Sequence, residues 1–158
     1  MDKLIMILDL GPPPPGANKQ LRMHWAKRRT LSNQWGQRVL VAALRYLDGK
    51  PMPSATEEDH RKLVIKWFAP IAPDHDNALA SLKSTVTDNL RHKRYKRPAG
   101  KNVLTPSPVN IIYDDSPKHC TFEYTPIKAK RRHLVVEIYA CLQQTQASPL
   151  TQTNSEML

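Results

Sequence analysis

The sequence predicts an α/β (α+β) fold, a single small domain in which helices pack on a mixed β-sheet. Three observations support this class. The 158 residues are enough for one domain with a modest core, and no segment repeats. Short runs rich in β-branched and aromatic residues indicate strands. Longer stretches carry apolar residues at helical spacing. We assign the domain to residues 3–142.

Five short apolar runs predict the strands: residues 3–10, 61–69, 109–113, 120–125 and 133–141. The first run is followed by four prolines at 12–15, and the strand should end before them because proline cannot donate a hydrogen bond to a sheet. The last two runs are separated only by a short basic segment. They are expected to form a hairpin with a basic tip.

Two longer stretches predict helices. Thr30 is a suitable N-cap for the first helix, which should end near Asp48 and Gly49. Its apolar stripe, expected in the core or in a subunit contact, consists of Leu31, Trp35, Val39, Ala42, Leu44 and Leu47. The second helix covers residues 78–90, with Asp76 or Asn77 as its N-cap. Its apolar residues at helical spacing are Leu79, Leu82, Val86 and Leu90.

Cysteine usage and hydropathy bear on the compartment. Cys120 and Cys141 lie in apolar runs and are too few for a disulfide framework, which indicates buried free thiols in a reducing compartment. No stretch is long enough to span a bilayer, and the apolar run at the N-terminus is too short for a secretory signal. We expect a cytoplasmic protein without a membrane partner. A zinc module of His119, Cys120, His133 and Cys141 lacks the paired ligand spacing that zinc modules use.

The charge balance favours a polyanionic partner. The chain has 24 Lys+Arg against 14 Asp+Glu, a formal net charge of +10. Basic residues cluster in three segments that we predict to contact DNA rather than to form a merely solvated surface. They are Lys19, Arg22, Lys27, Arg28 and Arg29; Arg91, Lys93, Arg94, Lys96, Arg97 and Lys101; and Lys128, Lys130 and Arg131. Trp25, in the first segment, either stacks on an unpaired base or belongs to the core, and the sequence leaves both open.

Two pairs of acids stand out in this basic chain. Asp74 and Asp76 follow the run at 61–69, and prolines at 70 and 73 should keep the chain extended there, so that the two carboxylates point to the same side. Asp114 and Asp115 end the run at 109–113. Neighbouring carboxylates repel unless a cation lies between them or one of them takes up a proton, and Mg²⁺ is the natural candidate for the cation. The alternative is that these acids only cap a helix and form a turn.

The same residues resemble a known family. Asp74-x-Asp76-Asn77, Leu82-Lys83, Asp88-x-Leu90 and Asp114-Asp115-Ser116-Pro117 are similar to the motifs of RusA-family Holliday junction resolvases, in the spacing of the phage-encoded branch. The prolines at 12–15, Asn18, and His24-Trp25-Ala26-Lys27 resemble upstream features of phage members. A RusA-like domain over residues 3–142 and a phage or prophage origin are what this resemblance implies.

The resemblance also implies a site and an activity. Its metal ligands would be Asp74, Asp76 and Asp115, with Asp114 beside them. Its catalytic residues would be Asp74, Asp76, Asp115 and Lys83. The cofactor would be Mg²⁺, with Mn²⁺ as a substitute. RusA-like enzymes are homodimers that resolve four-way DNA junctions by paired, symmetric nicks in recombination and repair, so the implied partners are branched DNA and a second copy of the chain.

Residues 91–108 depart from the family pattern, because a long basic insertion replaces a short turn. We expect a mobile loop when it is free and a clamp when it contacts DNA, with Tyr95 available to stack on an unpaired base. Residues 143–158 are polar, and a disordered tail is expected there.

Two other functions stay open on the sequence alone. One is a Mg²⁺-dependent DNA nuclease without junction preference, acting on flaps, forks or single strands. The other is a basic DNA-binding protein without catalysis, in which the aspartates only cap and turn.

Overall fold

The computed structural model describes residues 2–96, 102–105 and 108–142, with backbone only for 93–96 and 102–105. The predictions for Arg97, Lys101 and the tail at 143–158 lie outside the described residues. In chain order the elements are β1 (Lys3–Gly11), α1 (Ala17–Leu21), α2 (Trp25–Leu47), β2 (His60–Ala69), α3 (His75–Leu82), a π-helical turn (Lys83–Thr87), α4 (Asp88–Leu90), β3 (Lys93–Lys96), β4 (Asn102–Thr105), β5 (Cys120–Lys128) and β6 (His133–Cys141).

The main sheet has four strands in the order β1-β6-β2-β5. β6 is antiparallel to both β1 and β2, and β2 is parallel to β5. A small α+β fold with a mixed sheet, as predicted from the sequence, is therefore confirmed.

The predicted hairpin between the last two strands is wrong, because β2 lies between β5 and β6. Two strands separated by a third lie about 10 Å apart, a distance that the four residues at 129–132 can cover. The backbone N–H of Ala129 donates to the carbonyl oxygen of Ala69, which holds the crossing chain against the end of β2. The central strand is thus paired on both edges.

Helix α2 packs against β1 of the sheet and also contacts the π turn and α4. The buried side chains of α2 are Trp35, Val39, Ala42, Ala43 and Leu47, and the sheet contributes among others Met6, Leu8, Leu134, Val136 and Ile138. Leu44 does not belong to this face, since 55% of it is exposed. The helix begins at Trp25 rather than after Thr30, because His24 Nδ1 accepts a hydrogen bond from the Ala26 N–H at 3.2 Å and acts as the N-cap.

The second predicted helix has three parts, α3, the π turn and α4, over residues 75–90. Its N-cap is Asp74, slightly earlier than predicted, because the Asp74 carboxylate accepts a hydrogen bond from the Asn77 N–H at 2.9 Å. The apolar positions of the prediction are correct, since Leu82, Val86 and Leu90 are buried.

Residues 109–113 do not form the predicted strand; they make one isolated parallel bridge, between Ile112 and Arg91. Side chains and loops take up the hydrogen bonds of this segment instead. The buried Arg61 donates from Nε to the Ile111 carbonyl at 3.1 Å, and the Ile112 N–H donates to the Leu90 carbonyl at 3.1 Å. The apolar side chains are buried, which explains why the run resembles a strand in the sequence.

The prediction of a mobile loop at residues 91–108 is also wrong in part, because β3 and β4 form an antiparallel two-stranded sheet. Lys93 pairs with Thr105, and Tyr95 pairs with Val103. Tyr95, Val103 and Thr105 are residue types that favour strands, and the run of basic residues hides this signal in the sequence.

Both cysteines are free, with Cys120 buried and Cys141 partly buried. Burial raises the pKa of the Cys120 thiol to about 12. Across residues 2–96, 102–105 and 108–142, no helix is long and apolar enough to cross a membrane.

Candidate functional site

The first acidic pair lies at the N-terminus of α3. Asp74 Oδ2 accepts a hydrogen bond from Asn77 Nδ2 at 3.2 Å, in addition to the capping bond to its Oδ1. Asp76 belongs to the first helical turn, and its side chain is fully exposed, with its Oδ1 3.1 Å from Nδ1 of His75. The prediction that both acids share one side of an extended segment is therefore wrong, while their position at a helix N-terminus is confirmed.

Tyr124 of β5 anchors the turn that carries Asp74. Its hydroxyl donates to the Pro73 carbonyl at 2.6 Å, and its ring contacts the His75 imidazole at 6.2 Å between centroids. Burial and the negative charge of Asp74 raise the pKa of the Tyr124 hydroxyl, which keeps this donor protonated at neutral pH. Tyr124 has no predicted role in the sequence, because an aromatic residue in a strand pattern carries no sign of this contact.

The second acidic pair converges with Asp88 on one guanidinium group. Arg91 Nε lies 3.1 Å from Asp88 Oδ1, and Arg91 Nη1 lies 3.4 Å from Asp114 Oδ1 and 3.9 Å from Asp115 Oδ1. The Asp114 carboxylate also accepts a hydrogen bond from the Asp115 N–H at 2.9 Å. Arg91, predicted to contact DNA, is thus engaged by three carboxylates.

Two of these acids shift their pKa in opposite directions. Burial raises the pKa of Asp88, although the positive charge of Arg91 opposes the shift. For Asp114, burial is outweighed by the hydrogen bond from the Asp115 N–H and by Arg91, which together lower its pKa. Asp114 therefore stays ionised, whereas Asp88 is the carboxyl of this cluster that takes up a proton more readily.

Lys83, the first residue of the π turn, connects two depressions in the surface. It lines a small cleft of about 120 Å³ together with Leu79, Thr87, Asp115 and Phe122. It also lines an open groove of about 510 Å³, whose other walls are Ala17, Gln20, Leu21, Trp25, Arg28, Arg29, Ala80, Ser84 and Asp88. The cleft of Asp115 and the groove of the basic segment therefore meet at one lysine.

Side chains from α1, α2 and α4 hold the end of α3 and the π turn in place. A π turn leaves carbonyl groups without their usual α-helical partners. Gln20 Nε2 donates to the Ser81 carbonyl at 2.9 Å, Ser32 Oγ donates to the Ser84 carbonyl at 2.7 Å, and Asn89 Nδ2 donates to the Thr85 carbonyl at 2.7 Å. These three bonds fix the backbone on which Lys83 is mounted.

Trp25 is not a core residue, because 63% of it is exposed at the start of α2. The alternative in which it packs in the core is excluded, and the stacking alternative stays open. Five predicted DNA-contacting residues lie exposed on α1 and the start of α2, namely Lys19, Arg22, Lys27, Arg28 and Arg29. Lys128, Lys130 and Arg131 are exposed around the end of β5. Lys93, Arg94 and Lys96 lie on β3.

The predicted metal ligands are not brought into one cluster. Among the described side chains, no group of three or more His, Cys, Asp or Glu lies close enough to hold a metal ion. Asp74 and Asp76 lie at the start of α3, whereas Asp115 lines the cleft beside Leu79 and Lys83. Lys83 follows Asp76 by two helical turns, which is about 10 Å along the helix axis. Asp88, which appeared only as part of the family motif, joins the cluster around Arg91.

A larger depression, about 830 Å³ between β1 and α2, contains none of the predicted site residues.

Comparisons of the chain with models of protein families, with curated proteins and with solved structures found no match.

Proposed function

We propose that this protein is a metal-dependent endonuclease that cuts branched DNA. The observation that carries the proposal is the position of Lys83, which lines both the cleft of Asp115 and the groove of Trp25, Arg28 and Arg29. A phosphodiester backbone bound along the basic groove would come next to a cleft in which an acid and a lysine face each other. Basic residues that lead a polyanion to carboxylates favour hydrolysis of a phosphodiester over simple binding.

The two acidic pairs offer the hard oxygen ligands that Mg²⁺ takes, although among the described side chains they do not form one three-ligand group. This ion prefers hard oxygen ligands and is usually held by one or two carboxylates, with waters and phosphate oxygens completing the shell. Asp76 is fully exposed, and Asp115 is partly exposed and lines the cleft. Asp74 retains free lone pairs, although both of its oxygens accept hydrogen bonds from Asn77. The family motif assigns the ion to Asp74, Asp76 and Asp115, with Asp114 beside Asp115, and of these only Asp115 lines the cleft with Lys83. When bound, Mg²⁺ would polarise the scissile phosphate and supply an activated water.

The side chains of the chain itself have separate tasks in this proposal. Lys83 offsets the negative charge that develops on the phosphate in the transition state. Arg91 neutralises the acids that do not bind the ion, which reduces their repulsion of the incoming phosphate. Arg28 and Arg29 bind the flanking phosphates in the groove.

The finer activity, resolution of four-way junctions by paired nicks from a homodimer, is supported by the resemblance of the motifs to RusA-family resolvases. A two-fold symmetric dimer carries two equivalent sites, so that each subunit can cut one strand. The insertion at 91–108 lies between Asp88 and Asp115 in the chain, and its two-stranded part starts two residues after Arg91. We propose that it contacts an arm of the branched substrate.

A second function is favoured by one observation. The absence of a three-ligand group in the described part of the chain, with Arg91 already in ion pairs with three acids, also suits a basic DNA-binding protein without catalysis. In that case the acids stabilise the fold only, by capping α3 and by fixing the segment before β5.

Nicking of a labelled four-way junction in Mg²⁺ tests both candidates, with linear duplex, flap and fork substrates beside it. We expect symmetric nicks in the junction. Asp76→Asn and Asp115→Asn should bind the junction as wild type does and lower the nicking rate by on the order of 100-fold or more. Glu57→Gln, at an exposed acid outside the two acidic pairs, is the matched control.

Each other outcome has a clear meaning. Nicks in flaps or forks at the same rate would support the nuclease without junction preference. Binding of all substrates without cleavage in Mg²⁺ or Mn²⁺ would support the non-catalytic protein and contradict the nuclease.

A further inference from the structure

The groove beside Lys83 has a strongly apolar wall that the proposed cleavage chemistry does not use. Leu21 is 72% exposed and Trp25 is 63% exposed, and both line the groove. The other two tryptophans, Trp35 and Trp67, are buried in the core. An exposed tryptophan beside an exposed leucine, rimmed by charged residues, is typical of a binding surface rather than of ordinary solvated surface.

Both apolar side chains are mounted on rigid backbone. Trp25 is the first residue of the 23-residue helix α2, and its ring lies 5.5 Å from the ring of His24, the N-cap. Leu21 ends α1, which the buried Gln20 ties to the end of α3 and to the π turn through hydrogen bonds with Ser81 and Ser84. The distance between this apolar wall and Lys83 is therefore fixed by the fold.

The charges around the apolar wall suit a nucleic acid strand. Arg28 and Arg29 follow Trp25 by one helical turn and line the same groove. Asp88 also lines it, but its ion pair with Arg91 offsets the negative charge. The volume of about 510 Å³ lies within the range of pockets that hold small flat ligands. An aromatic face next to cations is the arrangement with which proteins bind unpaired bases and their phosphates.

We propose that the groove binds one unpaired base of a DNA strand, stacked on Trp25 and packed against Leu21, with its phosphates on Arg28 and Arg29. The site rests on the proposed function in one respect: the next phosphate along the strand reaches Lys83 and the Asp115 cleft. The groove thereby selects DNA with an unpaired nucleotide beside the cut, such as the base at a branch point, over continuous duplex.

Tryptophan fluorescence in EDTA tests the site without cleavage. Trp25 is the exposed tryptophan, so a base that stacks on it should quench the emission. We expect quenching by a short oligothymidine and by a duplex with an unpaired thymine, and none by the matched continuous duplex. Trp25→Ala should remove the quenching and weaken binding of the oligothymidine by about 5- to 100-fold, the usual effect of removing one stacked base. Trp25→Phe should restore part of the affinity.

Two controls make the result specific. Leu44→Ala removes a comparably exposed leucine from α2 outside the groove and should bind as wild type. Replacing Arg28 and Arg29 by glutamine should lower the slope of log affinity against log salt by about 0.7 for each phosphate that the protein no longer neutralises. Circular dichroism and thermal melting show whether each variant is folded.

Three outcomes would overturn the site. One is oligothymidine affinity in folded Trp25→Ala equal to that of wild type. Another is equal quenching by continuous duplex and by the unpaired substrate, which would mean that the groove binds only backbone. The third is a fluorescence change with protein concentration in the absence of DNA that Trp25→Ala abolishes, which would identify the groove as a protein interface. All binding measurements are made without Mg²⁺, so a failure of the nicking experiment does not change their outcome. A failure of base binding likewise leaves the nicking experiment to be judged by itself.

Discussion

Arg91 and Asp114 form an ion pair, with Nη1 3.4 Å from Oδ1, between residues that are 23 positions apart in the chain. The pair joins the end of the helix that carries Lys83 to the segment that carries Asp115. It is supported by the parallel bridge between Arg91 and Ile112. The acids of the second pair are thus positioned by a cation of the protein itself.

Removal of this cation should destabilise the fold. In Arg91→Met we expect the free energy of unfolding, measured by urea in EDTA, to fall by about 1–2 kcal/mol, because Asp88 and Asp114 lose their shared counter-ion. The cost stays modest because these side chains are about one-third exposed. Millimolar Mg²⁺ should restore part of the stability, since a divalent cation can neutralise the same carboxylates. Arg45→Met, at an exposed position of α2, is the control, and an equal response of both variants to Mg²⁺ would contradict the prediction.

Tyr124→Phe tests how the first acidic pair is held. The change removes the hydrogen bond of 2.6 Å to the Pro73 carbonyl and should cost about 1 kcal/mol of stability. The nicking rate in Mg²⁺ should fall further than DNA affinity does, because the turn before Asp74 loses its anchor while the basic residues are unchanged. Tyr139→Phe removes a similar hydroxyl hydrogen bond, 3.2 Å to Glu137. If this control lowers nicking to the same extent, Tyr124 has no special positioning role.

Gly36 permits a close approach between α2 and α4. A Cβ atom at Gly36 would lie 2.8 Å from Asn89 Oδ1. Asn89 is fixed by hydrogen bonds from its Nδ2 to Ser32 and Thr85, so its side chain cannot easily move aside. Gly36→Ala should therefore destabilise by about 1–2 kcal/mol, although alanine is the better helix former by about 1 kcal/mol.

The same substitution should no longer lower the free energy of unfolding once the Asn89 side chain is shortened. In an Asn89→Ala background, Gly36→Ala should be neutral or stabilising by up to about 1 kcal/mol, because only the helix propensity remains. Urea unfolding of the four proteins gives the coupling energy directly. A coupling near zero would mean that the close approach does not restrict the two helices.

The pKa of Cys120, raised by burial to about 12, predicts low reactivity. Alkylation requires the thiolate, and at pH 8.5 its fraction would be below about one part in a thousand. Iodoacetamide should therefore modify the partly buried Cys141 before Cys120 in folded protein, as mass spectrometry of the peptides can determine. In urea both thiols should react at similar rates. Rapid modification of Cys120 at pH 8.5 without denaturant would contradict its burial.

Much of the secondary structure could be predicted because the patterns that specify it are local. β1, β2 and β6 lie within one or two residues of the predicted bounds, since alternating burial along a strand leaves a period of two in the sequence. Burial of Val39, Leu82 and Leu90 follows the predicted helical spacing for the same reason. The N-cap at Asp74 was not predicted because Asp74, Asp76 and Asn77 are all good N-caps, and the choice among them depends on the anchor from Tyr124.

The contacts that build the candidate site could not be predicted, because they are non-local. A hairpin between β5 and β6 satisfies every local rule, but β2 gains more by pairing with both strands, and only the packed sheet decides this. Residues 109–113 have the composition of a strand, but the partner of their backbone is the buried Arg61, 50 residues away from Ile111.

The sequence by itself determined the mixed α+β class, the exposure of the basic segments at the start of α2 and the end of β5, and the residue types from which a metal-dependent site could be built. Only the tertiary structure decided that Arg91 lies among three carboxylates and that Trp25 is exposed. It also decided that Lys83 lines both the cleft of Asp115 and the groove of Trp25, Arg28 and Arg29. Spacing along the chain fixes which side of a helix or strand a residue occupies. Which sides then meet depends on the free energy of packing the whole core.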